Sequence, residues 1–156
     1  MNYNDILKRI RYTFDYNDET MMQIFLKGGE SVDRSTLSNW MKHEEDEAFE
    51  KMVAKRLTVF LNGLIAHKRG EREGGSPKPE KYLTNNLIFK KLKIALSLTT
   101  EDILEMFILS GKVIGMHEIT SFLRNPEKKQ FQPMKDQYLR QFIYAIQDKY
   151  RPSENK

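Results

Sequence analysis

The sequence contains no cysteine among its 156 residues. That absence excludes a disulfide framework, a thiolate zinc site and a cysteine nucleophile. It also lacks an uninterrupted apolar run long enough to span a membrane, and its first residues lack the apolar core of a signal peptide. We therefore expect a cytoplasmic protein that is neither secreted nor inserted into a membrane.

Motifs for catalysis are lacking as well. The three histidines, His43, His67 and His117, do not have the spacing of metal ligands. The glycines lie at helix stops and in a linker rather than in a phosphate-binding loop after a strand. The sequence thus predicts no enzyme, no catalytic residue, no cofactor, no metal site and no small-molecule substrate.

The composition that is present is that of a globular protein, with 39% hydrophobic and 31% charged residues. The net charge of +4 is unevenly distributed: residues 1–66 carry −2, residues 67–82 carry +2 and residues 83–156 carry +4. The basic character therefore belongs to the second half, and so modest an excess is weak evidence for nucleic-acid binding.

The dominant pattern is an internal repeat. Residues 4–64 align with residues 86–146 without a gap, at an offset of 82 positions. Apolar character is kept where identity is lost, as expected when packing is the constraint. The identical pairs include Asn4 and Asn86, Phe25 and Phe107, Gly29 and Gly111, Met52 and Met134, and Phe60 and Phe142.

Each copy is predicted to form four helices, which makes the chain all-α. Asn4 and Asn86 are expected to be the N-caps of the opening helices. The second helices should begin near Asn17 and Thr99 and end at glycine-containing stops, 28–29 and 110–111. The third helices should bury Leu37, Trp40 and Met41, or Ile119, Phe122 and Leu123. The fourth helices are expected from Phe49 to about His67, and from Pro133, in the first turn, to about Lys149.

The domain organisation follows from the repeat. We expect helical repeats at 1–67 and 83–150, a linker at 68–82 that is rich in glycine, proline and charge, and a flexible tail at 151–156. A unit of about sixty residues is marginally stable by itself. The two repeats are therefore expected to pack as one body with pseudo-twofold character.

A helix-turn-helix-like segment is the first candidate for function. In repeat 1 it covers Glu19 to Lys42, with an apolar stripe for packing and outward side chains that can hydrogen-bond to bases: Arg34, Ser35, Ser38, Asn39 and Lys42. The acidic run 44–47 opposes this interpretation. In repeat 2 the outward set is Met116, His117, Glu118, Ser121 and Arg124, and an ordinary helical hairpin is the favoured alternative.

The basic face of the opening helices is the second candidate. Lys8 and Arg11 are expected to be neutralised by intrahelical pairs with Asp5 and Asp15, whereas Lys90 and Lys93 have Leu87 and Ser97 at the equivalent positions. Lys90 and Lys93 are thus the better candidates for contact with an anion, although a solvated face is the favoured explanation.

A charge reversal between the copies is the third candidate. Asp46 and Glu47 correspond to Lys128 and Lys129. Opposite charges at equivalent positions could steer one repeat onto another, within the chain or head to tail between chains. Sequence drift is the favoured alternative, because isolated surface charges contribute little.

Several segments resemble the bacterial YehS-like family, a tandem-repeat family of unknown function, also designated domain-of-unknown-function family 1456. The segments are 4–11, 60–65, 68–74, 83–87, 90–96 and 135–142, so the resemblance covers nearly the whole chain. It implies a bacterial cytoplasmic protein with two repeats, and it supplies no active site.

The leading hypothesis from the sequence is a non-enzymatic binding module whose partner is nucleic acid. The residues proposed to contact it are Arg34, Ser35, Ser38, Asn39, Lys42, Lys90, Lys93 and Arg124. The alternative is a protein–protein or self-association module that uses apolar grooves between the repeats and has no role with nucleic acid.

Overall fold

The computed structural model describes residues 1–152, and over these residues it contains eight helices and no strand. The all-α prediction is therefore confirmed. The expected tail at 151–156 lies, from residue 153 onward, outside the described residues. The helices are α1 (Tyr3–Phe14), α2 (Asp18–Lys27), α3 (Arg34–Met41), α4 (Ala54–Arg69), α5 (Asn85–Ala95), α6 (Thr100–Leu109), α7 (Met116–Leu123) and α8 (Asp136–Tyr150).

The chain divides into two compact units, unit 1 from Met1 to Leu83 and unit 2 from Thr84 onward, each with four helices. An aromatic cluster forms the centre of each core. In unit 1 the Phe25 ring lies 5.3 Å from Trp40 and 5.1 Å from Phe60. In unit 2 the Phe89 ring lies 4.7 Å from Phe142 and 6.1 Å from Phe122.

The segment expected to be a linker, 68–82, is connected to unit 1 by a helix and by a hydrogen bond. Helix α4 continues through Lys68 and Arg69. Farther along, the Ser76 hydroxyl donates to the Lys27 carbonyl at the end of α2. The Tyr3 hydroxyl donates to the Leu83 carbonyl at 3.3 Å. Ser76 is thus hydrogen-bonded to the end of α2, and Leu83 to the start of α1.

The predicted ends of the second helices are confirmed. The Asn17 side chain caps α2 by accepting a hydrogen bond from the Thr20 N–H. The Thr99 side chain caps α6 by accepting one from the Asp102 N–H. Both helices end before a glycine with positive φ, +106° at Gly29 and +76° at Gly111. Glycine adopts this conformation without steric cost, which explains the stops.

The predicted N-caps of the opening helices are wrong. The caps are Asn2 and Thr84, two residues earlier, whose side chains accept from the backbone N–H groups of Asp5 and Leu87. Asn4 and Asn86 lie inside the first turn. Their side chains are therefore available to bond with other parts of their units.

Asn4 joins three segments of unit 1. Its side-chain amide donates to the carbonyls of Trp40 (3.0 Å) and Glu50 (2.9 Å), and its oxygen accepts from the Met52 N–H (2.9 Å). Asn86 makes the same three bonds 82 positions later, to Phe122, Gln132 and Met134, at 3.0, 2.9 and 2.9 Å. These asparagines hold the loop between the third and fourth helices onto the opening helix of each unit.

The predicted starts of the fourth helices are also wrong. Helix α4 begins at Ala54 rather than Phe49, and α8 begins at Asp136, so that Pro133 precedes the helix instead of lying in its first turn. Because Asn4 and Asn86 bond with backbone groups of the preceding segments, those segments form two loops. We name them the α3–α4 loop (42–53) and the α7–α8 loop (124–135).

Two glycines allow α2 and α4 to approach each other closely in unit 1. A Cβ added to Gly63 would lie 1.8 Å from the Ile24 carbonyl oxygen, and one added to Gly28 would lie 1.9 Å from the Val59 carbonyl oxygen. The equivalent residues in unit 2 are Ser110 and Ala145. The helix crossing of unit 1 therefore has no close equivalent in unit 2.

Candidate polyanion-binding surface

Helix α3 of unit 1 has the buried stripe expected of a helix-turn-helix, since Leu37 and Trp40 are buried. Its N-terminus is negatively charged, however. Asp33 accepts a 2.7 Å hydrogen bond from the Thr36 N–H, and this hydrogen bonding lowers the pKa of Asp33 below its ordinary value. A permanent carboxylate therefore stands where a recognition helix would approach phosphates.

The residues of α3 proposed to contact nucleic acid are in part engaged within unit 1. The Arg34 guanidinium lies 3.9 Å from carboxylate oxygens of Asp18 and Glu19. The Lys42 ammonium donates to the exposed Ser38 hydroxyl at 3.2 Å. Of the other two proposed residues, Ser35 is exposed. Asn39 is half-buried, and its backbone carbonyl accepts a hydrogen bond from the Glu50 N–H at 3.2 Å.

Lys8 and Arg11 of α1 have partners other than the expected intrahelical ones. The Lys8 ammonium donates to the Lys42 carbonyl at 2.9 Å. Arg11 forms an ion pair with Asp18 at 2.7 Å, and Asp5 accepts from the Asn2 N–H. Both cations are therefore engaged by groups outside α1.

Helix α7 differs from the expectation at Ser121. That residue is 1% exposed, and its hydroxyl donates to the Glu118 carbonyl at 2.6 Å, so its proposed outward orientation is wrong. His117 is exposed. Helix α7 thus has few polar groups suited to reading base edges.

Several cations of unit 2 lie on elements that Asn86 holds together, namely the start of α5, the end of α7 and the α7–α8 loop. Lys90 lies one turn after Asn86 and is exposed, and Arg124 is exposed at the C-cap of α7. Lys93, one turn farther along α5, is half-buried. Of the residues proposed from the sequence, Lys90 and Arg124 therefore lie on adjoining elements.

The two loops have the same backbone hydrogen bonds. In unit 1 the N–H groups of Asp46, Phe49 and Glu50 donate to the carbonyls of His43 (2.9 Å), Asp46 (3.0 Å) and Asn39 (3.2 Å). In unit 2 the N–H groups of Lys128, Phe131 and Gln132 donate to the carbonyls of Asn125 (2.9 Å), Lys128 (3.1 Å) and Ser121 (3.1 Å). Each pair of bonds is related by the offset of 82 residues. The repeat is therefore preserved even in its irregular segments.

The same two loops carry opposite charge. The α3–α4 loop has two lysines against five acidic residues, a net charge of −3, and the α7–α8 loop has four basic residues against one acid, a net charge of +3. Asp46, Glu47, Lys128 and Lys129 are all exposed. We name Lys90, Arg124, Lys128 and Lys129 the unit 2 cationic surface.

A second cluster lies where α1 and α4 end in unit 1, and the sequence reasoning missed it. The Tyr16 ring is stacked at 5.6 Å on Phe14 and meets His67 edge-on at 5.5 Å, while the Lys68 ammonium lies 4.3 Å from the Phe14 ring centre. The only signal in the sequence was an aromatic pair at the end of α1 and a His-Lys pair in the last turn of α4.

Burial controls the ionisation of this cluster. It raises the pKa of Tyr16 to about 12. It also lowers the pKa of His67, with smaller contributions from Lys27 and Lys68, and lowers the pKa of Lys68. The Tyr16 hydroxyl and the His67 Nδ1 are buried atoms with no hydrogen-bond partner among residues 1–152. The cluster therefore favours a neutral imidazole.

This predicts that unit 1 loses stability in mild acid. Because the folded pKa of His67 is below its ordinary value of about 6.5, the stabilisation is complete above that pH and is lost as the pH falls through the lowered value. Urea unfolding followed by Trp40 fluorescence should show a midpoint that declines from about pH 7.5 to about pH 5.5.

The variant His67→Gln should show a shallower decline over the same pH range. His43→Gln, at an exposed position of the same unit, is the matched control and should keep the wild-type decline. An equal decline in all three proteins would show that another group is responsible.

Within residues 1–152, no group of three or more histidine, aspartate or glutamate side chains could hold a metal ion. No helix in that part of the chain has the length and hydropathy needed to cross a membrane.

Comparison with known proteins identifies relatives but no activity. The sequence model of a family described as "Protein of unknown function (DUF1456)" matches residues 3–70 and 85–151. The chain is 37% identical over 144 residues to a protein of Escherichia coli (strain K12) described as "Uncharacterized protein YehS", with 92% of each chain covered. No solved structure matches.

Proposed function

The chain belongs to the DUF1456 family of proteins of unknown function, and we propose that it is a non-enzymatic nucleic-acid-binding module that contacts phosphates through unit 2. The observation that carries the proposal is the +3 charge of the α7–α8 loop on a backbone that carries −3 in unit 1. Phosphate contacts by lysine and arginine supply most of the affinity of non-specific binding.

The surrounding charges support this assignment to unit 2. Lys90 lies on helix α5, which Asn86 holds next to the cationic loop, and both Lys90 and the first residue of that loop, Arg124, are exposed. At the equivalent positions of unit 1, the Lys8 ammonium donates to the backbone carbonyl of Lys42, the first residue of a loop with a net charge of −3. Unit 1 is thus expected to contribute little to the binding of a polyanion.

The chemistry favours backbone contact over base reading. Lysine and arginine side chains that are spread over a helix and a loop match phosphates, which position a protein on nucleic acid without selecting a sequence. Helix α7 exposes His117 but buries Ser121. We therefore expect binding with little sequence preference and a strong dependence on salt.

Exchanging the charges of the loops tests the proposal. The variant Lys128→Asp/Lys129→Glu gives unit 2 the residues that unit 1 carries at the same backbone positions. It should weaken binding about tenfold or more at low salt and reduce the slope of log affinity against log salt by about 2. Fluorescence anisotropy with labelled duplex and single-stranded DNA and RNA measures both quantities.

Two further variants complete the experiment. Lys90→Glu/Lys93→Glu should also weaken binding, whereas the matched control Asp46→Lys/Glu47→Lys should leave it equal or stronger. If the wild-type protein does not bind duplex or single strand even at low salt, the proposal is wrong. It is equally wrong if the unit 1 exchange abolishes binding while the unit 2 exchange has no effect.

A further inference from the structure

We propose that the α3–α4 loop of one molecule docks on the unit 2 cationic surface of a second copy of this chain. The occupant is argued from charge complementarity, since the two loops share a backbone and carry −3 and +3. The inference does not depend on nucleic-acid binding. It does imply that a polyanion and a second copy compete for the same surface.

The acidic side chains of the α3–α4 loop are accessible to a partner. These acids are exposed together with Ala48, and Val53 at the end of the loop is 61% exposed. The residue of unit 2 that corresponds to Val53 is Lys135, which is exposed as well. The charge of the α3–α4 loop is thus accessible to a partner of opposite charge, and the apolar residue at its end is replaced by a further cation in the α7–α8 loop.

Both loops are preorganised for this contact. The bonds of Asn4 to Glu50 and Met52, and of Asn86 to Gln132 and Met134, hold each loop on its own unit. Docking such loops costs less conformational entropy than ordering flexible segments. None of Glu44, Glu45, Asp46, Glu47, Lys128 and Lys129 forms an ion pair within the part of the chain that the structure describes.

The contact joins unit 1 of one copy to unit 2 of another and allows two kinds of assembly. Repeated head to tail it generates rings or open chains, and made twice, reciprocally, it closes a twofold dimer. A loop-sized interface stabilised by exposed charges is weak and is screened by salt. The assembly is therefore expected to grow with protein concentration at low ionic strength and to dissociate at high salt.

A charge-exchange cycle in the full-length protein tests the inference by sedimentation velocity over a range of protein concentrations. Asp46→Lys/Glu47→Lys and Lys128→Asp/Lys129→Glu should each raise the dissociation constant of self-association about tenfold, because like charges then face each other. In the protein with both exchanges the α3–α4 loop carries a net charge of +1 and the α7–α8 loop a net charge of −1. It should associate more tightly than either single exchange, although less tightly than the wild-type protein.

The outcomes separate the inference from the proposed function. Asp46→Lys/Glu47→Lys should lose self-association while keeping nucleic-acid binding, and far-UV circular dichroism checks that each variant is folded. A wild-type protein that is monomeric at every concentration at low salt overturns the inference. Pairing of the two loops within one chain would give that same result. Loss of association in both single exchanges without recovery in the combined variant overturns it too.

Discussion

Replacing Gly63 by alanine should destabilise unit 1 by about 3 kcal/mol. In an ordinary helix interior the same change is stabilising by about 1 kcal/mol, because alanine has the higher helix propensity. Here the new methyl group would lie 1.8 Å from the Ile24 carbonyl oxygen, a backbone atom that cannot move away without displacing α2. Urea unfolding followed by fluorescence of Trp40, the single tryptophan of the chain and a core residue of unit 1, measures the change.

Unit 2 provides the matched control, because Ala145 occupies the position equivalent to Gly63. Ala145→Gly should cost only about 1 kcal/mol, the ordinary penalty of glycine within a helix. It should leave the Trp40 transition unchanged if the two units unfold independently. A Gly63→Ala variant as stable as the wild-type protein would show that α2 and α4 are not in close contact at this crossing.

Replacing Asn4 by alanine should also destabilise unit 1 by about 3 kcal/mol. The side chain is 1% exposed, and its loss leaves the Trp40 and Glu50 carbonyls and the Met52 N–H without their partner. Removing one partner of a buried hydrogen bond costs more than the bond contributes, since water cannot replace it. The same fluorescence-detected unfolding measures the effect.

Two variants bracket this expectation. Asn4→Asp keeps an oxygen for the Met52 N–H but cannot donate to the two carbonyls, so it should remain strongly destabilised. Asn86→Ala should cost less, because Asn86 is half-buried and water can reach part of its bonding site. An Asn4→Asp variant with wild-type stability would mean that the loop does not depend on these donated bonds.

The loss of the Asn4 bonds should have a functional consequence as well. The α3–α4 loop would no longer be held on α1, and self-association should weaken even though every charge is retained. If the α7–α8 loop binds nucleic acid as proposed, loss of the Asn86 bonds should weaken that binding in the same way. Stability and the orientation of the charged surfaces are thus linked through one residue in each unit.

The features that sequence analysis predicted correctly are local ones. The stops of α2 and α6 follow from Gly29 and Gly111, whose positive φ needs only the residue itself. The caps at Asn17 and Thr99 follow from side chains that bond three residues ahead. Neither depends on a distant part of the chain.

Some of the features that it missed depend on distant residues. Phe49 and Met52 continue an apolar pattern at helical spacing, which predicted an early start for α4. The Met52 N–H instead bonds with Asn4, 48 residues away. Ser121 is a different, local case: its spacing predicts an outward position, but the residue is buried and its hydroxyl donates to the Glu118 carbonyl in the preceding turn.

The sequence by itself determined the all-α class, the duplication at an offset of 82, the ends of the second helices and the charge reversal between the loops, because repeats, caps and charges are properties of residues and their near neighbours. Only the tertiary structure decided that Asn4 and Asn86 hold the loops, that Gly63 lies at a close helix crossing, and that Tyr16 and His67 meet. Each of these depends on contacts between residues far apart in the chain, whose pairing no local pattern specifies.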